Sequence, residues 1–282
     1  MANCVLCRAA FLLCVVSVAG SQFLLTQTQG PSADSRPKLP PMDANANPSF
    51  EVATIKPNDS GKPNMQGMTI IGRNFKTVNA SLGDLIQVAY DVQAKQIVNG
   101  PQWMAKNRYD IVAVPTEAGV PNADQVRIMI QNLLADRFKL KFHKDKRELA
   151  AYLLTAGKNG PSLKPTEQKG QLPNFHYRPV DTGLTLFATN ATMTDFTGFL
   201  QLFVLDRPVV DQTGIAGRFD FQCTFTPDDS QFNGHSPLSS RSDATAPSLY
   251  EALQQQLGLK LSAERTSVDV IAIDHIEQPS EN

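Results

Sequence analysis

The sequence is poor in the residues that build most catalytic and metal sites. It has four cysteines, one tryptophan and four histidines in 282 residues. Cys4, Cys7 and Cys14 fall in the first fourteen positions, so Cys223 alone is available to a chain from which that segment is removed. A single thiol excludes an intramolecular disulfide framework and a paired-cysteine zinc site. His143, His176, His235 and His275 are widely spread. No Gly-x-Ser-x-Gly elbow, His-Glu-x-x-His helix, phosphate-binding loop or Gly-rich dinucleotide turn is present. Charge of one sign is also missing: 26 basic residues balance 27 acidic ones. This leaves no cationic stripe for nucleic acid or for an anionic membrane surface. Beyond the N-terminus there is no long hydrophobic run.

What is present begins with a leader. Arg8 precedes the apolar run Ala9 to Val16, and the small residues Ser17, Ala19 and Gly20 follow. That is the layout of a secretory signal peptide over residues 1–20, with cleavage expected near Ala19 or Gly20. The run is short for a bilayer span, so the mature chain is expected to carry none, an uncleaved anchor being the alternative. Residues 21–48, rich in Ser, Gln, Pro, Asn and Ala, read as a disordered tether.

The rest of the chain says almost the same thing twice. Asn79-Ala80-Ser81-Leu82-Gly83-Asp84-Leu85 returns as Asn190-Ala191-Thr192-Met193-Thr194-Asp195-Phe196, and Arg108-Tyr109-Asp110-Ile111 as Arg218-Phe219-Asp220-Phe221. Lys139-Leu140 returns as Lys260-Leu261. The order predicts two homologous modules, 49–168 and 169–282. Each is roughly ββαββαββ, an α+β arrangement of helices on a mostly antiparallel sheet. In the first, strands are predicted at Phe50–Ile55, Met68–Val78, Ile97–Val98 and Tyr109–Val114, and a hairpin of 138–143 with 148–156 turning at Lys144-Asp145-Lys146. The second ends in a matching hairpin of 259–261 with 268–273. Ser81 and Asp84, Thr192 and Asp195, Asn122 and Gln125, and Ser248 and Glu251 have the spacing of reciprocal helix N-caps. The second module carries an extra segment, 227–247, whose composition predicts a mobile loop.

The repeated positions preserve caps and apolar faces rather than nucleophiles. Asp84 and Asp195 therefore read as capping residues, and Arg108 with Asp110, and Arg218 with Asp220, as structural pairs. Alternation puts Cys223 on one strand face with Phe219, Phe221 and Phe225, as a buried small hydrophobe. Asp274 and His275 are neighbours on a strand and point to opposite faces, so they do not form a dyad. Lys139 to Arg147 supply the one basic cluster, on the wet face of an edge strand. No catalytic, cofactor-binding or metal-ligating residue is assigned. Trp103, in a loop after Gly100-Pro101-Gln102, together with His143 and Arg147, are the candidates for recognition.

Phe50 to Pro57, Gly100-Pro101-Gln102-Trp103, Tyr109 to Ala113, Leu133 to Leu140 and Arg147-Glu148-Leu149 with Tyr152 resemble a soil-associated, acidobacterial family of exported proteins of unknown function. Arg207 to Asp211, Thr213 to Phe221 and the tail Ile273 to Asn282 share that resemblance. It implies an envelope location and no established activity. Similar modules in that family occur fused behind membrane metallopeptidases of the beta-lactam-sensor type, which implies sensing or binding. At the level of fold, the modules also look like the small domains at the N-termini of secretins and TonB-dependent receptors. The expectation is a non-catalytic exported binding, sensing or interaction protein, without cofactor, whose partner is an envelope protein or a small ligand. The competing expectation is an envelope hydrolase whose residues converge only in three dimensions.

Overall fold

The computed structural model describes residues 39–279 apart from positions 63, 72, 169–172, 235 and 239–243, so the signal-peptide reading lies outside the described residues. Two passes of the chain run through a similar order of elements, the second without a counterpart of the short helix Trp103–Lys106. The first pass is β1 (Phe50–Pro57), β2 (Gly67–Ile71), β3 (Asn74–Ser81), α1 (Leu82–Tyr90), β4 (Ile97–Val98), α2 (Trp103–Lys106), β5 (Arg108–Pro115), α3 (Ala123–Phe138) and β6 (Lys141–Ala156). The second is β7 (Lys164–Pro165), β8 (Asn174–Val180), β9 (Gly183–Ala191), α4 (Met193–Phe199), β10 (Val209–Asp211), β11 (Phe219–Phe225), α5 (Leu249–Leu257) and β12 (Leu259–His275). A π-helical segment, Leu200–Val204, continues α4.

Two four-stranded sheets have the same order, β1-β5-β3-β2 and β7-β11-β9-β8, and are antiparallel throughout. With helices on mostly antiparallel sheets, the fold is α+β as the sequence predicts. A third sheet, β10-β6-β12-β4, joins the two passes. Its centre is a long antiparallel ribbon of β6 and β12, in register from Phe142 opposite Ile273 to Ala156 opposite Leu259, with a shift of one residue before Lys141 meets His275. The short strands on its flanks are exchanged. First-pass β4 runs parallel to second-pass β12 at Ile271 and Ala272, and second-pass β10 runs parallel to first-pass β6 at Tyr152 to Leu154.

The exchange extends to the cores. Leu82, Leu85, Ile86 and Ala89 form the buried stripe of α1, and Val126, Ile130, Leu133 and Leu134 that of α3, at the predicted helical spacing. Both stripes pack on Phe75 and Ile111, and the cluster is closed by Ile271 and Ile273 of β12. The second cluster gathers Phe196, Leu200, Phe225, Leu253 and Leu257, and is closed by Tyr152 and Leu154 of β6. Polar contacts follow the same crossing. Lys95 reaches the Asp206 carboxylate at 3.4 Å, and Tyr152 donates to Asp206 at 3.1 Å. Burial alone would raise the Asp206 pKa, but the Tyr152 hydrogen bond with Lys95 and Arg207 outweighs it and holds the carboxyl below its usual range.

Several boundaries differ from the expectation. No turn interrupts 141–156, nor 259–273, so each predicted hairpin is one continuous strand. Lys144-Asp145-Lys146 contains no Gly, Pro or Asn to reverse the chain, and in register it faces Ile271, Val270 and Asp269 across the ribbon. Phe138 ends α3 instead of opening a strand, because Lys139 takes the left-handed conformation that terminates the helix. The extended stretch 68–78 is a hairpin of β2 and β3, and 184–189 belongs to a hairpin of β8 and β9. Each pass therefore has three strands before its first helix and one after its last, in place of ββαββαββ. The ordered chain also starts earlier than Phe50. The Met42 and Val120 amides bond across a parallel bridge, Met42 is buried, and the Asp43 carbonyl accepts from Gln125. In 227–247, His235 and 239–243 lie outside the described residues. Within it Gln231 and Phe232 are buried, and at its ends the Thr226 amide donates to the Pro247 carbonyl.

Candidate functional site

The repeated motif explains itself geometrically. Between Thr77 and Ala80, β3 carries an extra residue against β5, and β9 does the same against β11 between Ala188 and Ala191. The residue that makes each bulge is asparagine in the left-handed region, Asn79 at φ 57° and Asn190 at φ 53°. Asp110 Oδ1 accepts from the Asn79 amide at 2.9 Å and from Asn58 Nδ2 at 2.7 Å. Asp220 Oδ1 accepts from the Asn190 amide at 2.8 Å. Two residues later each chain enters its helix through a complete capping box, Ser81 with Asp84 and Thr192 with Asp195. Arg108 then meets Asp84 at 2.7 Å, and Arg218 meets Asp195 at 3.4 Å. The repeated Asn, Ser or Thr, Asp, Arg and Asp thus form one strand-to-helix joint, built twice. The pairs differ from the expectation in one detail, since each Arg bridges to the capping Asp and not to the Asp two residues on.

The two joints are not equally tight. Asp84 and Arg108 are mostly buried, whereas the Arg218 side chain is 45% exposed and sits farther from its carboxylate. Asp84→Ala should therefore cost about 2 kcal/mol, a cap interaction plus part of a shielded ion pair, and Asp195→Ala about 1 kcal/mol. Urea unfolding midpoints of the two variants should keep that order. The reverse order would show that the ion pair adds nothing to the cap.

The three recognition candidates do not converge. Trp103 lies on the short helix α2, not in a loop, and packs half-buried against the first core. His143 and Arg147 share a face of β6, four residues or roughly 13 Å apart. The His143 imidazole bonds Asp274 at 2.8 Å, and Arg147 bridges to Asp145 at 2.9 Å. Asp274 thus pairs across the ribbon, while His275 bonds Glu277. None of the three candidates lines the clefts described below. Cys223 is buried in the second core, and burial pushes its thiol up to about 12, so it is not a thiolate near neutral pH.

One concave part of the described surface lies where the two passes meet. A cleft of about 230 Å³ is floored by α4 and the π-helical segment, with Asp195, Gly198, Phe199, Leu202 and Phe203. Asp91 at the end of α1, together with Asp124 and Arg127 at the start of α3, faces them from the first pass. Phe175 and Phe199 stack at 4.7 Å between ring centres, and Phe203 continues the row at 5.4 Å. Phe203 is 54% exposed, unusual for a phenylalanine. Leu202 and Phe203 form a ridge, since both also line a second cleft of about 350 Å³ with Met65, Val88 and Phe232.

The charges of the first cleft are partly spoken for. Arg127 pairs with Asp124 at 2.8 Å and Arg218 with Asp195 at 3.4 Å. Asp91 makes no ion pair or hydrogen bond through its carboxylate among the described residues, and its Oδ1 is fully shielded from solvent. Burial raises its pKa above the ordinary carboxylate value, Arg127 opposes that, and Asp195 adds to it. Gly198 of α4 makes room for it, because a Cβ there would stand 2.7 Å from Asp91 Oδ2. Sequence reasoning missed Asp91 and the Phe199 to Phe203 row. Asp91 sits at a helix end where any polar residue fits, and the phenylalanines have the spacing of an ordinary core stripe.

These features define an α+β protein in which two antiparallel sheets with equivalent strand order are tied by a shared ribbon, with an aromatic cleft at the junction. Residues 83–276, from α1 through β12, match the model of a family described as Protein of unknown function (DUF3738), and the chain belongs to that family. No curated protein and no solved structure matches it. Among the described residues, no helix is long and apolar enough to cross a membrane.

Proposed function

We propose that this is a non-catalytic binding or sensing protein of the cell envelope, exported by cleavage of residues 1–20, whose ligand docks in the aromatic cleft between the two passes. The observation that supports the reading is the cleft itself. An exposed phenylalanine and an unpaired carboxylate are each unfavourable in the empty protein, and both are relieved when a ligand covers them. The repeated aspartates and arginines are engaged in holding bulges and helix starts, which leaves them poorly placed as acids, bases or nucleophiles. The repeat and the matching strand orders further suggest a duplication whose copies exchanged strands. The resemblance to modules carried behind beta-lactam-sensor-type peptidases favours sensing over chemistry. Among the described residues the histidine–carboxylate pairs are His143 with Asp274 and His275 with Glu277, and all four side chains are about half exposed.

The test is capture from envelope extract with the mature protein, bound small molecules and proteins being identified by mass spectrometry. A species retained by the wild type and lost from Phe203→Ala is expected. Retention by both proteins would place the contact surface elsewhere, and turnover of a captured ester or amide would favour the hydrolase.

A further inference from the structure

Resting on that reading, we propose that the first cleft selects a small organic cation, a protonated amine or guanidine on a short aromatic or aliphatic body. The cationic head would lie against Asp91 and the body along Phe175, Phe199 and Phe203. Three independent observations converge on this chemistry. The cleft is lined by three carboxylates, Asp91, Asp124 and Asp195, and two guanidinium groups, Arg127 and Arg218. Each arginine pairs with one of the other two aspartates, so the lining carries one net negative charge and Asp91 is its one carboxylate without an ion pair among the described residues. The wall beside it is a row of three phenylalanine rings, whose faces attract cations and whose edges accept a flat apolar body. The volume, about 230 Å³, lies below the usual range for cofactor and drug-sized sites, roughly 300–1,000 Å³. It suits a group of around ten heavy atoms. An anion is disfavoured because the lining holds three carboxylates against two guanidinium groups, and a neutral ligand leaves the Asp91 charge without an ion pair.

Asp91 also offers a variant that separates binding from folding. It holds φ 52°, in the left-handed region where asparagine is the best-tolerated replacement. Burial disfavours its charged form, so Asp91→Asn removes an unfavourable charge and should leave the melting temperature unchanged or higher at neutral pH. The sign follows from the raised pKa. The folded state holds the Asp91 proton more tightly than the unfolded chain does, so this group favours folding at low pH and that contribution is lost as pH rises through its folded pKa. Phe203→Ala removes a largely solvent-exposed ring and should fold normally.

The experiment is NMR titration of the mature chain with 2-phenylethylammonium, 2-phenylethanol and phenylacetate, three probes of nearly equal shape and different charge. For ligands this small, affinities on the order of millimolar are expected, which such titrations resolve. The ammonium should bind saturably with shifts at Phe199, Phe203 and Gly198, about tenfold more tightly than the alcohol, and phenylacetate weakest of all. Asp91→Asn should erase the preference of ammonium over alcohol, and Phe203→Ala should weaken both. For the wild type, the ammonium's advantage should fade as pH drops through the Asp91 pKa, which burial raises. Equal binding of the three probes, or an ammonium preference that survives Asp91→Asn, overturns the proposal. If no probe binds but the envelope capture still yields a species dependent on Phe203, the cation assignment falls while the binding function stands. If both experiments fail, the cleft is not the site.

Discussion

Expressed separately, residues 39–168 and 169–279 are each expected to lack a cooperative thermal transition, and to regain one on mixing. The reason is the exchanged ribbon. Without β12 the first fragment loses Ile271 and Ile273 from its core, about 1.5–3 kcal/mol for each fully buried aliphatic side chain. It also loses the whole antiparallel partner of β6 and the strand on which β4 pairs. Without β6 the second fragment loses Tyr152 and Leu154 and the partner of β10. A domain's net stability is about 5–15 kcal/mol, so losses of this size in each half consume most or all of it. Circular dichroism melts and amide dispersion of each fragment, alone and mixed at equal concentration, decide the matter. If each half melts cooperatively by itself, the shared sheet is an accessory and the two cores are independent. Within the intact chain the same logic gives one transition, shifted down by Ile271→Ala and by Leu154→Ala alike.

That exchange was invisible in the sequence, for a definite reason. Alternation in Val268 to Ile273 reports which face of a strand is buried, not which core buries it, and the repeat suggests that each copy closes on itself. The polar run Lys144-Asp145-Lys146 misled in the same direction. Lys144 and Lys146 are exposed although their strand pairs with the buried Val270 and Ile271, so composition alone cannot separate the polar part of a ribbon from a loop. Where the determinants are local, the sequence was legible: all four capping boxes form as their spacing required, because a cap involves residues three apart. The apolar stripes of α1 and α3 are buried, as are Leu249, Leu253 and Leu257, spaced four apart on α5. The joint at Asn79 and Asn190 was half legible. Its residues stood out by repetition, but the bulge that makes asparagine necessary exists only once β5 and β11 are paired beside it. The cleft was not legible at all, since Asp91 and Phe203 belong to different passes and meet only through the fold.

The joint carries the second large expectation. Asp110→Ala should destabilise the protein by about 3 kcal/mol and Asp220→Ala by roughly half as much, because a hydrogen bond to a charged group contributes about 1.5–3 kcal/mol and a buried donor left bare costs a similar amount. Asp110 serves two donors, the amide of Asn79 and the side chain of Asn58, and Asn79 is 1% exposed, so water does not replace the lost acceptor. Asp220 serves one donor among the described residues, the amide of Asn190. Asp110→Asn keeps an acceptor oxygen without the charge and should fall between wild type and Ala. Asn79→Gly keeps the positive φ and the amide that Asp110 holds, but it removes a buried side chain whose Nδ2 donates to the Lys62 and Asn64 carbonyls, so it should cost about 1–3 kcal/mol. Chemical denaturation of these four variants separates two explanations of why the motif occurs twice. If Asp110→Ala and Asp220→Ala retain wild-type midpoints while the envelope capture is lost, the repeated aspartates serve a ligand and the joint is incidental. If the midpoints fall in the order given, the motif repeats because each sheet needs the same bulge, held by the same carboxylate, to turn its third strand into a helix.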